Sequence, residues 1–371
     1  MGRKKITVGI LFGGKSAEHE VSLQSAKSIY DAIDREKYHP VLIGIDKSGR
    51  WLRGDDSRFL LHADDPKKIR LDLSGDPVAL LPQSRGSLSI LENGARISAE
   101  RVDVIFPVLH GTFGEDGTVQ GLLKLADVPF VGSSVLGSAV GMDKDVMKRL
   151  LRDAGIPVGK FLVLHSCETA AGAAAFGDAA AALGLPFFLK PANMGSSVGV
   201  FKIHNEEEYR AGMAEAFLYD TKVILEEYIR GRELECSVLG NEEPAASVPG
   251  EVISTHDFYS YDAKYLDEQG ATLEIPAKVP EEIKARVQSL AVKTFQVLCA
   301  GGLARVDFFL RENAVFVNEI NTMPGFTKIS MYPKLWEASG LSYTKLIDRL
   351  ITLAISRHEK EQRLRTSYGG I

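Results

Sequence analysis

Two stretches near the C-terminus carry side chains that can hold a cation: Arg305-Val306-Asp307-Phe308-Phe309-Leu310 and Ala314-Val315-Phe316-Val317-Asn318-Glu319-Ile320-Asn321. Their Val and Phe content marks both as β-strands, separated by the polar turn Arg311-Glu312-Asn313. Side chains alternate faces along a strand, so Glu319 and Asn321 point the same way, and Asp307 lies on the partner strand of the hairpin. Two carboxylates and an amide oxygen form an all-oxygen set suited to Mg²⁺ shared with substrate phosphates. Taken alone, the same residues also read as a solvated sheet face. Arg305, two before Asp307, shares its side of the strand, and Gly325 follows in Asn321-Thr322-Met323-Pro324-Gly325. A guanidinium and a backbone N–H placed there can stabilise an oxyanion.

Other stretches fit phosphate and substrate chemistry. Lys190-Pro191-Ala192-Asn193-Met194-Gly195-Ser196-Ser197-Val198-Gly199 is a Gly/Ser loop opened by a lysine. It lacks Walker spacing and leads into a strand rather than a helix. It reads equally as a flap whose N–H groups and hydroxyls close over phosphates and as a flexible hairpin turn. Lys144 and Lys190 each offer a point charge to phosphates, though a lone lysine is ordinarily a solvated surface charge. His110-Gly111-Thr112-Phe113-Gly114-Glu115-Asp116-Gly117 ends a strand, where open α/β sheets bind ligands, or is a long βα turn. Ser16-Ala17-Glu18-His19-Glu20 offers a carboxylate for a substrate ammonium at the same edge, although a helix start explains Ser16 and Glu20 by themselves. The aromatic, charged run His256 to Tyr265 suits a lid that excludes water, or a plain surface loop.

The elements that must position these residues follow from periodicity. Ile6 to Phe12 and Val41 to Ile45 read as strands, with a helix between them whose stripe is Val21, Leu23, Ala26, Ile29, Tyr30 and Ile33. With Val102 to Leu109 and a helix from Gly117-Thr118, residues 1 to about 132 read as an open parallel α/β sheet. Gly132-Ser133-Ser134 marks a boundary. Beyond it the sequence predicts helices at Asp143–Ala154, Glu168–Leu183 and Glu206–Phe217, and strands at Phe187–Lys190, Val198–Ile203 and Val223–Glu227. From Arg230 the chain is strand-rich, with a helix at Glu281–Cys299, helices after Tyr332 and a polar, frayed end from Arg357. Residues 46–101 carry no interpretable motif.

Composition bounds the rest. A chain of 371 residues predicts two or three domains, and 45% hydrophobic with 25% charged residues is ordinary for a globular protein. A net charge of −5 argues against nucleic-acid binding. Cys167, Cys236 and Cys299 are too scattered for a disulfide framework or a metal site and read as small buried hydrophobes. No apolar run approaches the roughly 18 residues needed to span a bilayer, and the start reads as a first strand rather than a signal peptide. The expected location is the cytoplasm.

Seven of these motifs occur in an order that resembles one family. They are Gly-Gly-Lys-Ser-Ala-Glu-His-Glu-Val-Ser at 13–22, His-Gly-x-x-Gly-Glu-Asp-Gly at 110–117, Met-Asp-Lys at 142–144, Lys-Pro-x-x-x-Gly-Ser-Ser-Val-Gly at 190–199, Tyr-Asp-Ala-Lys-Tyr at 261–265, Arg-Val-Asp at 305–307 and Asn-Glu-Ile-Asn-Thr-Met-Pro-Gly-Phe-Thr at 318–327. Between residue 6 and about 355 the chain resembles the D-alanine–D-alanine ligases, ATP-grasp enzymes of bacterial wall synthesis. The resemblance implies three domains, at 1–132, 133–229 and 230–371. The first is an open parallel α/β substrate domain; the other two are α+β units that grasp ATP, the last with a lid near 251–268. It implies that Lys144, Lys190, Ser197 and Lys264 contact phosphates, and that Glu226, Ile229 and Glu233 hold adenine and ribose. Asp307, Glu319 and Asn321 would bind two Mg²⁺, replaceable by Mn²⁺. Glu18 would anchor the first D-alanine's ammonium, with His110 beside it. Ser330, next to Met331, would bind the second D-alanine's carboxylate, and Ser196 and Tyr265 would lock the lid. Tyr265 further implies a dipeptide rather than a D-alanyl-D-lactate product, and a homodimer is usual for the family.

Overall fold

The computed structural model describes residues 4–54, 59–62, 65, 68–92, 95–166, 176–254 and 271–365. The first sheet is built from β1 (Ile6–Gly13), β2 (Tyr38–Ile45), β3 (Trp51–Arg53), β6 (Asp76–Leu80), β7 (Ser87–Glu92), β8 (Ala95–Arg101) and β9 (Val104–Val108), in the order β8-β7-β6-β3-β2-β1-β9. A two-stranded pair, β4 (Leu60–Leu61) and β5 (Arg70–Leu71), stands beside it. Only β2, β1 and β9 run parallel. The segment without a motif, 46–101, extends them with antiparallel strands, so this sheet is mixed. Its short strands and polar turns carry no long apolar run, which is why periodicity left them unread.

A helix α1 (His19–Ala32) connects β1 to β2, and α2 (Thr118–Leu125) follows β9. Most of the stripe expected on α1 and just past it enters the core: Leu23, Ala26, Ile29 and Ile33 are buried and Tyr30 packs against them, while Val21 is half-buried. His19, Ser22 and Ser25 are buried as well, because that flank of the helix faces polar loops. The Gly13 N–H donates to Ser22 Oγ (2.7 Å), and Ser22 in turn bonds the Val108 carbonyl.

Two helices follow the boundary glycine, α3 (Val135–Met142) and α4 (Lys144–Asp153). The first was not expected, because its Gly and Ser content hides any stripe. Those small residues permit close packing: a Cβ on Gly137 would lie 2.3 Å from the Cys299 carbonyl oxygen. The second sheet holds β10 (Phe161–His165), β11 (Phe187–Pro191), β12 (Phe201–Ile203) and β13 (Lys222–Glu227), in the order β10-β13-β11-β12 and antiparallel throughout. It is covered by α5 (Phe176–Leu183) and α6 (Glu206–Ala216) through Phe187, Leu189, Leu225, Tyr209 and Met213. The expected strand Val198–Ile203 shrinks to β12, because Ser196, Ser197 and Gly199 all take positive φ and break extended structure. The first part of the Glu168–Leu183 expectation lies outside the described residues.

The third sheet contains β14 (Arg232–Gly240), β16 (Gly250–Ser254), β17 (Ala271–Glu274), β18 (Gly302–Arg311) and β19 (Ala314–Asn321), in the order β17-β16-β14-β18-β19, with β15 (Ala245–Ala246) paired to β14. One face is apolar: Leu234, Cys236, Val306, Phe308, Val315 and Val317 pack on Val287, Ala291 and Phe295 of α7 (Glu281–Val297) and on Met147 and Leu151 of α4. Each such side chain, fully buried, contributes about 1.5–3 kcal/mol. That burial leaves the opposite face to carry charge. Two last helices, α8 (Met331–Ala338) and α9 (Tyr343–Glu361), pack back on the first sheet through Tyr332, Leu346, Leu350 and Ile351.

Two expectations are corrected. Residues 357–361 are the docked end of α9 rather than a frayed tail, because Arg357 donates to the Gly132 (2.5 Å) and Phe130 (2.8 Å) carbonyls. Cys299 is exposed, in a left-handed turn just past α7, whereas Cys236 is buried as expected; Cys167 lies outside the described residues. Among the described residues no helix is long and apolar enough to cross a membrane.

Candidate active site

The hairpin β18–β19 places Asp307 directly opposite Glu319 and Arg305 opposite Asn321. Directly opposed residues on antiparallel strands have Cβ atoms about 5 Å apart. A register shift beyond Asp307 makes this arrangement possible: Asp307 pairs with Glu319, yet the next residue, Phe308, pairs with Val317. Asn318 is the extra residue of a bulge. Without it Val317 and Glu319, two apart, would share a face; with it Val317 enters the core while Glu319 and Asn321 turn outward. On the other side of β18, Glu235 of β14 also lies opposite Asp307. The result is a row of three carboxylates, Glu235, Asp307 and Glu319, across three strands.

Arg305 is the cation of this face. Its Nε and Nη2 donate to the two Asp307 oxygens (2.7 Å each), its Nε lies 2.9 Å from Glu235, and Asn321 Nδ2 donates to Asp307 (3.0 Å). Burial works against the guanidinium charge, but Asp307 and Glu235 hold its pKa well above the usual value. Three carboxylates against one guanidinium leave an excess of negative charge and oxygen donors, which fits a hard divalent cation. Among the described residues no group of three His, Cys, Asp or Glu stands ready to hold a metal alone. A cation here would complete its shell with the amide oxygen of Asn321 and with ligand oxygens.

Facing this wall is a basic one. The helix α4 begins at Asp143, whose carboxylate caps it by accepting from the Asp145 (3.1 Å) and Val146 (3.0 Å) N–H groups. Lys222 clamps Asp143 (2.5 Å) and Asp145 (3.2 Å), and the Lys144 N–H donates to the Ala192 carbonyl (3.0 Å). The helix start is thereby fixed to the second sheet. Spacing of four residues then puts Lys144 and Lys148 on one helix face. Lys148 lies 2.8 Å and Lys190 2.5 Å from the two oxygens of Glu226. Burial disfavours a charged Glu226, but Lys148 and Lys190 overcome it and bring its pKa down to about 2. Burial lowers the pKa of Lys144 and Lys148, while Glu226 and Glu319 raise that of Lys190 against the same burial. Lys144 also spans the gap between the walls: its Nζ donates to the Met194 carbonyl (2.7 Å) and lies 3.8 Å from Glu319.

The flap and the first-sheet loops close the third side. Ser196 (φ 52°) and Ser197 (φ 59°) are consecutive left-handed residues, a strained arrangement of the kind concentrated at ligand clamps. The Glu18 carboxylate lies against both this flap and the loop after β9. A Cβ on Gly195 would be 3.6 Å, and one on Gly111 3.1 Å, from its Oε2. Glu115 accepts from the Gly111 N–H (2.7 Å) and the Met323 N–H (3.1 Å); burial, then the charge of Glu18, pushes its pKa up to about 8. His110 is buried, with Nδ1 2.9 Å from the Met323 carbonyl and Nε2 3.4 Å from Ser25 Oγ.

Of the residues singled out from sequence, Asp307, Glu319, Asn321 and Arg305 share the acidic wall, and Lys144, Lys190 and Glu226 the basic one. Ile229 is buried beyond β13, and Glu233 is half-buried on β14, two residues from Glu235. Ser330 precedes α8 and its Oγ accepts from the Thr327 N–H (3.1 Å), while Met331 packs in a small apolar cluster with Val252 and Leu335. Lys264 and Tyr265 lie outside the described residues. Sequence reasoning missed Lys148, Glu235, Glu115 and Ser25. Lys148 was accessible, as the i+4 partner of Lys144. Glu235 was half accessible, since alternation pairs it with Glu233, but its meeting with Asp307 depends on strand register.

Two family models match: D-ala D-ala ligase N-terminus over residues 7–133 and D-ala D-ala ligase C-terminus over residues 150–352. The D-alanine–D-alanine ligase of Oceanobacillus iheyensis is 54% identical over 364 residues, covering 98% of this chain and 99% of that protein. The solved structure of the D-alanine–D-alanine ligase from Coxiella burnetii is similar with a TM-score of 0.83 at 41% identity, covering 97% of each chain. The Bacillus anthracis D-alanine–D-alanine ligase complexed with ATP is similar with a TM-score of 0.71 at 26% identity, covering 96% of this chain and 99% of that one.

Proposed function

This chain belongs to the D-alanine–D-alanine ligase family, and we propose that the site between its two charged walls makes D-alanyl-D-alanine through an acyl phosphate. The enzyme is an ATP-dependent ligase of ATP-grasp fold serving peptidoglycan synthesis. The observation that carries the reading is the pairing of an acid-rich wall with a lysine-rich one, joined where Lys144 approaches Glu319 (3.8 Å). A nucleotide triphosphate with its metal is the ligand that needs both. The three-domain division at residues 132 and 229 belongs to the same proposal.

A carboxylate is a poor electrophile, so ligation needs it phosphorylated first. Glu18 anchors the ammonium of the first D-alanine, beside His110, and aims its carboxylate at the γ-phosphorus. Lys144, Lys190 and Ser197 neutralise and orient the phosphates, with Lys264 reaching in from the lid, while Glu226, Ile229 and Glu233 hold adenine and ribose. Asp307, Glu319 and Asn321 would hold divalent ions, which would supply charge neutralisation to the transferred phosphoryl group when bound. Mg²⁺ is the expected ion, with Mn²⁺ a substitute, since both favour oxygen donors. Ser330, with Met331 behind it at the start of α8, receives the carboxylate of the second D-alanine. As its amine attacks the acyl carbon, Arg305 and the Gly325 N–H take up the oxyanion charge, worth about 3–4 kcal/mol per donor; the intermediate then collapses with cleavage of the C–O bond, and phosphate and the amine proton leave. Ser196 and Tyr265 lock flap to lid, so that water does not reach the acyl phosphate. A cytoplasmic homodimer is the expected form.

Phosphate release with ATP, Mg²⁺ and D-alanine tests the reading, with L-alanine run in parallel. Release with the D isomer alone, and dipeptide in equal amount, is expected; no release with D-alanine overturns it. D-lactate as acceptor near pH 7 separates a dipeptide ligase from one that makes a D-alanyl ester.

A further inference from the structure

Four residues, Met323-Pro324-Gly325-Phe326, lie between the acidic wall and α8, and the first-sheet domain grips both ends of this segment. At Met323 both backbone groups are held: Glu115 accepts from its N–H (3.1 Å), and His110 Nδ1 lies 2.9 Å from its carbonyl. A carbonyl only accepts, so Nδ1 carries the proton and the neutral ring leaves Nε2 as an acceptor. Burial lowers the pKa of His110, in keeping with a neutral ring. Ser25 Oγ lies 3.4 Å from that Nε2 and accepts from the Phe326 N–H (3.3 Å), so the second end is tied to the same histidine. Glu115 spends its other oxygen on the Gly111 N–H (2.7 Å), bracing its own loop. Phe326 is fully buried, ringed by Phe106, Tyr332 and Tyr343, which fixes the segment's far side.

Pro324 has no N–H. Glu115 takes the Met323 N–H and Ser25 the Phe326 N–H, so the Gly325 N–H is the remaining donor of the gripped segment. Met323 lies two residues before Gly325, so a shift at Met323 moves the oxyanion donor, whereas Asn321 is held by its pairing with Arg305 in the β18–β19 hairpin. We propose that Glu115, His110 and Ser25 form a positioning frame that sets the aim of the Gly325 N–H, with Glu115 the member that links the two loops. The proposal rests on the ligase reading. Its consequence is specific. The frame acts after the acyl phosphate has formed, so loosening it exposes that species to water for longer before the second amine captures it.

The test is Glu115→Gln, nearly isosteric, whose single amide oxygen can satisfy only one of the two N–H groups. Phosphate and dipeptide are counted together in each variant. The expected result is a kcat reduced roughly 10- to 100-fold, a KM for ATP within about twofold of wild type, and phosphate released in excess of dipeptide. Ser25→Ala, which severs Phe326 from His110 but leaves both bonds at Met323, shifts the ratio the same way by less and serves if Glu115→Gln does not fold. A role in stability alone lowers Tm and total activity but leaves one phosphate per dipeptide, and that result overturns the frame. Wild-type enzyme that releases no phosphate with D-alanine sinks the ligase reading and the frame together, whereas coupled variants beside an active wild type sink the frame only.

Discussion

The two walls of the site are mirror images in charge. On the third sheet, Glu235, Asp307 and Glu319 surround Arg305; between α4 and the second sheet, Lys144, Lys148 and Lys190 surround Glu226. Each wall is held together by its minority charge. Arg305 bridges two carboxylates, and Glu226 gives one oxygen to each of two lysines. The majority charges exceed what one counter-ion can neutralise, and that excess is what a metal–phosphate ligand meets. The lesson is a difference of emphasis: each minority charge holds its wall together whatever contact it also makes with ligand, and the surplus majority charges are left for the metal and the phosphates.

The largest expected effect comes from removing a minority charge. Glu226→Gln leaves Lys148 and Lys190 buried without a counter-ion, and breaking such a pair destabilises by about 3–5 kcal/mol. Urea unfolding measures it; a loss below about 1 kcal/mol would show that Glu226 does not organise its wall. The pH dependence has a definite sign. The Glu226 pKa falls from 4.5 in the unfolded chain to about 2 in the fold, so its contribution is full above 4.5 and is lost as pH falls through 2. In Glu226→Gln that part of the Tm–pH curve flattens.

Next comes a majority charge. Glu319→Gln is expected to reduce kcat at least tenfold, about 1.4 kcal/mol of barrier or more, while Tm changes little, because relief of repulsion with Asp307 offsets lost attraction to Lys144 and Lys190. Retention of more than a tenth of wild-type kcat would speak against a metal role. Glu235→Gln is subtler. Glu235 is the second partner of Arg305, 2.9 Å away, and without it Arg305 holds Asp307 alone. Asp307 then yields its oxygens to a cation less readily, so the apparent Mg²⁺ affinity should fall about tenfold, or 1.4 kcal/mol, although Glu235 is not a ligand. Titration of Mg²⁺ with ADP by calorimetry reads this directly, and unchanged affinity would remove the role.

The majority charges were easier to read from sequence than the minority arrangement. Asp307, Glu319 and Asn321 are exposed by strand alternation, and Lys144 and Lys190 by their places at a helix start and a loop start. Arg305 was legible because it lies on the same strand as Asp307. Its sharing between Asp307 and Glu235 was not, since that requires the register of β14 on β18, strands separated by the helix α7. The bulge at Asn318 was hidden for a related reason. Val315, Val317, Glu319 and Asn321 are evenly spaced in sequence, and only pairing with β18 shows that the last two have changed face. Local spacing carried the elements and the ligands; nonlocal pairing decided who neutralises whom.

The smallest expected effect sharpens the comparison most. Lys148→Met removes one of three lysines and replaces it with an unbranched side chain of similar length. The new side chain suits a helix whose next apolar residues, Met147 and Leu151, already pack in a core. Glu226 keeps Lys190 at 2.5 Å, so no buried charge is orphaned and stability should change by less than about 1 kcal/mol. The wall nevertheless faces its ligand with less positive charge, and KM for ATP should rise about threefold, near 0.6 kcal/mol. The same helix turn holds Lys144, so the variant also asks whether Lys148 acts through Glu226 or by charge alone. Combined with Glu226→Gln, a coupling energy above about 1 kcal/mol identifies the ion pair as the route. Additive effects in that cycle would mean the two residues contribute separately. A Lys148→Met enzyme as unstable as Glu226→Gln would erase the distinction between minority and majority charges on this wall.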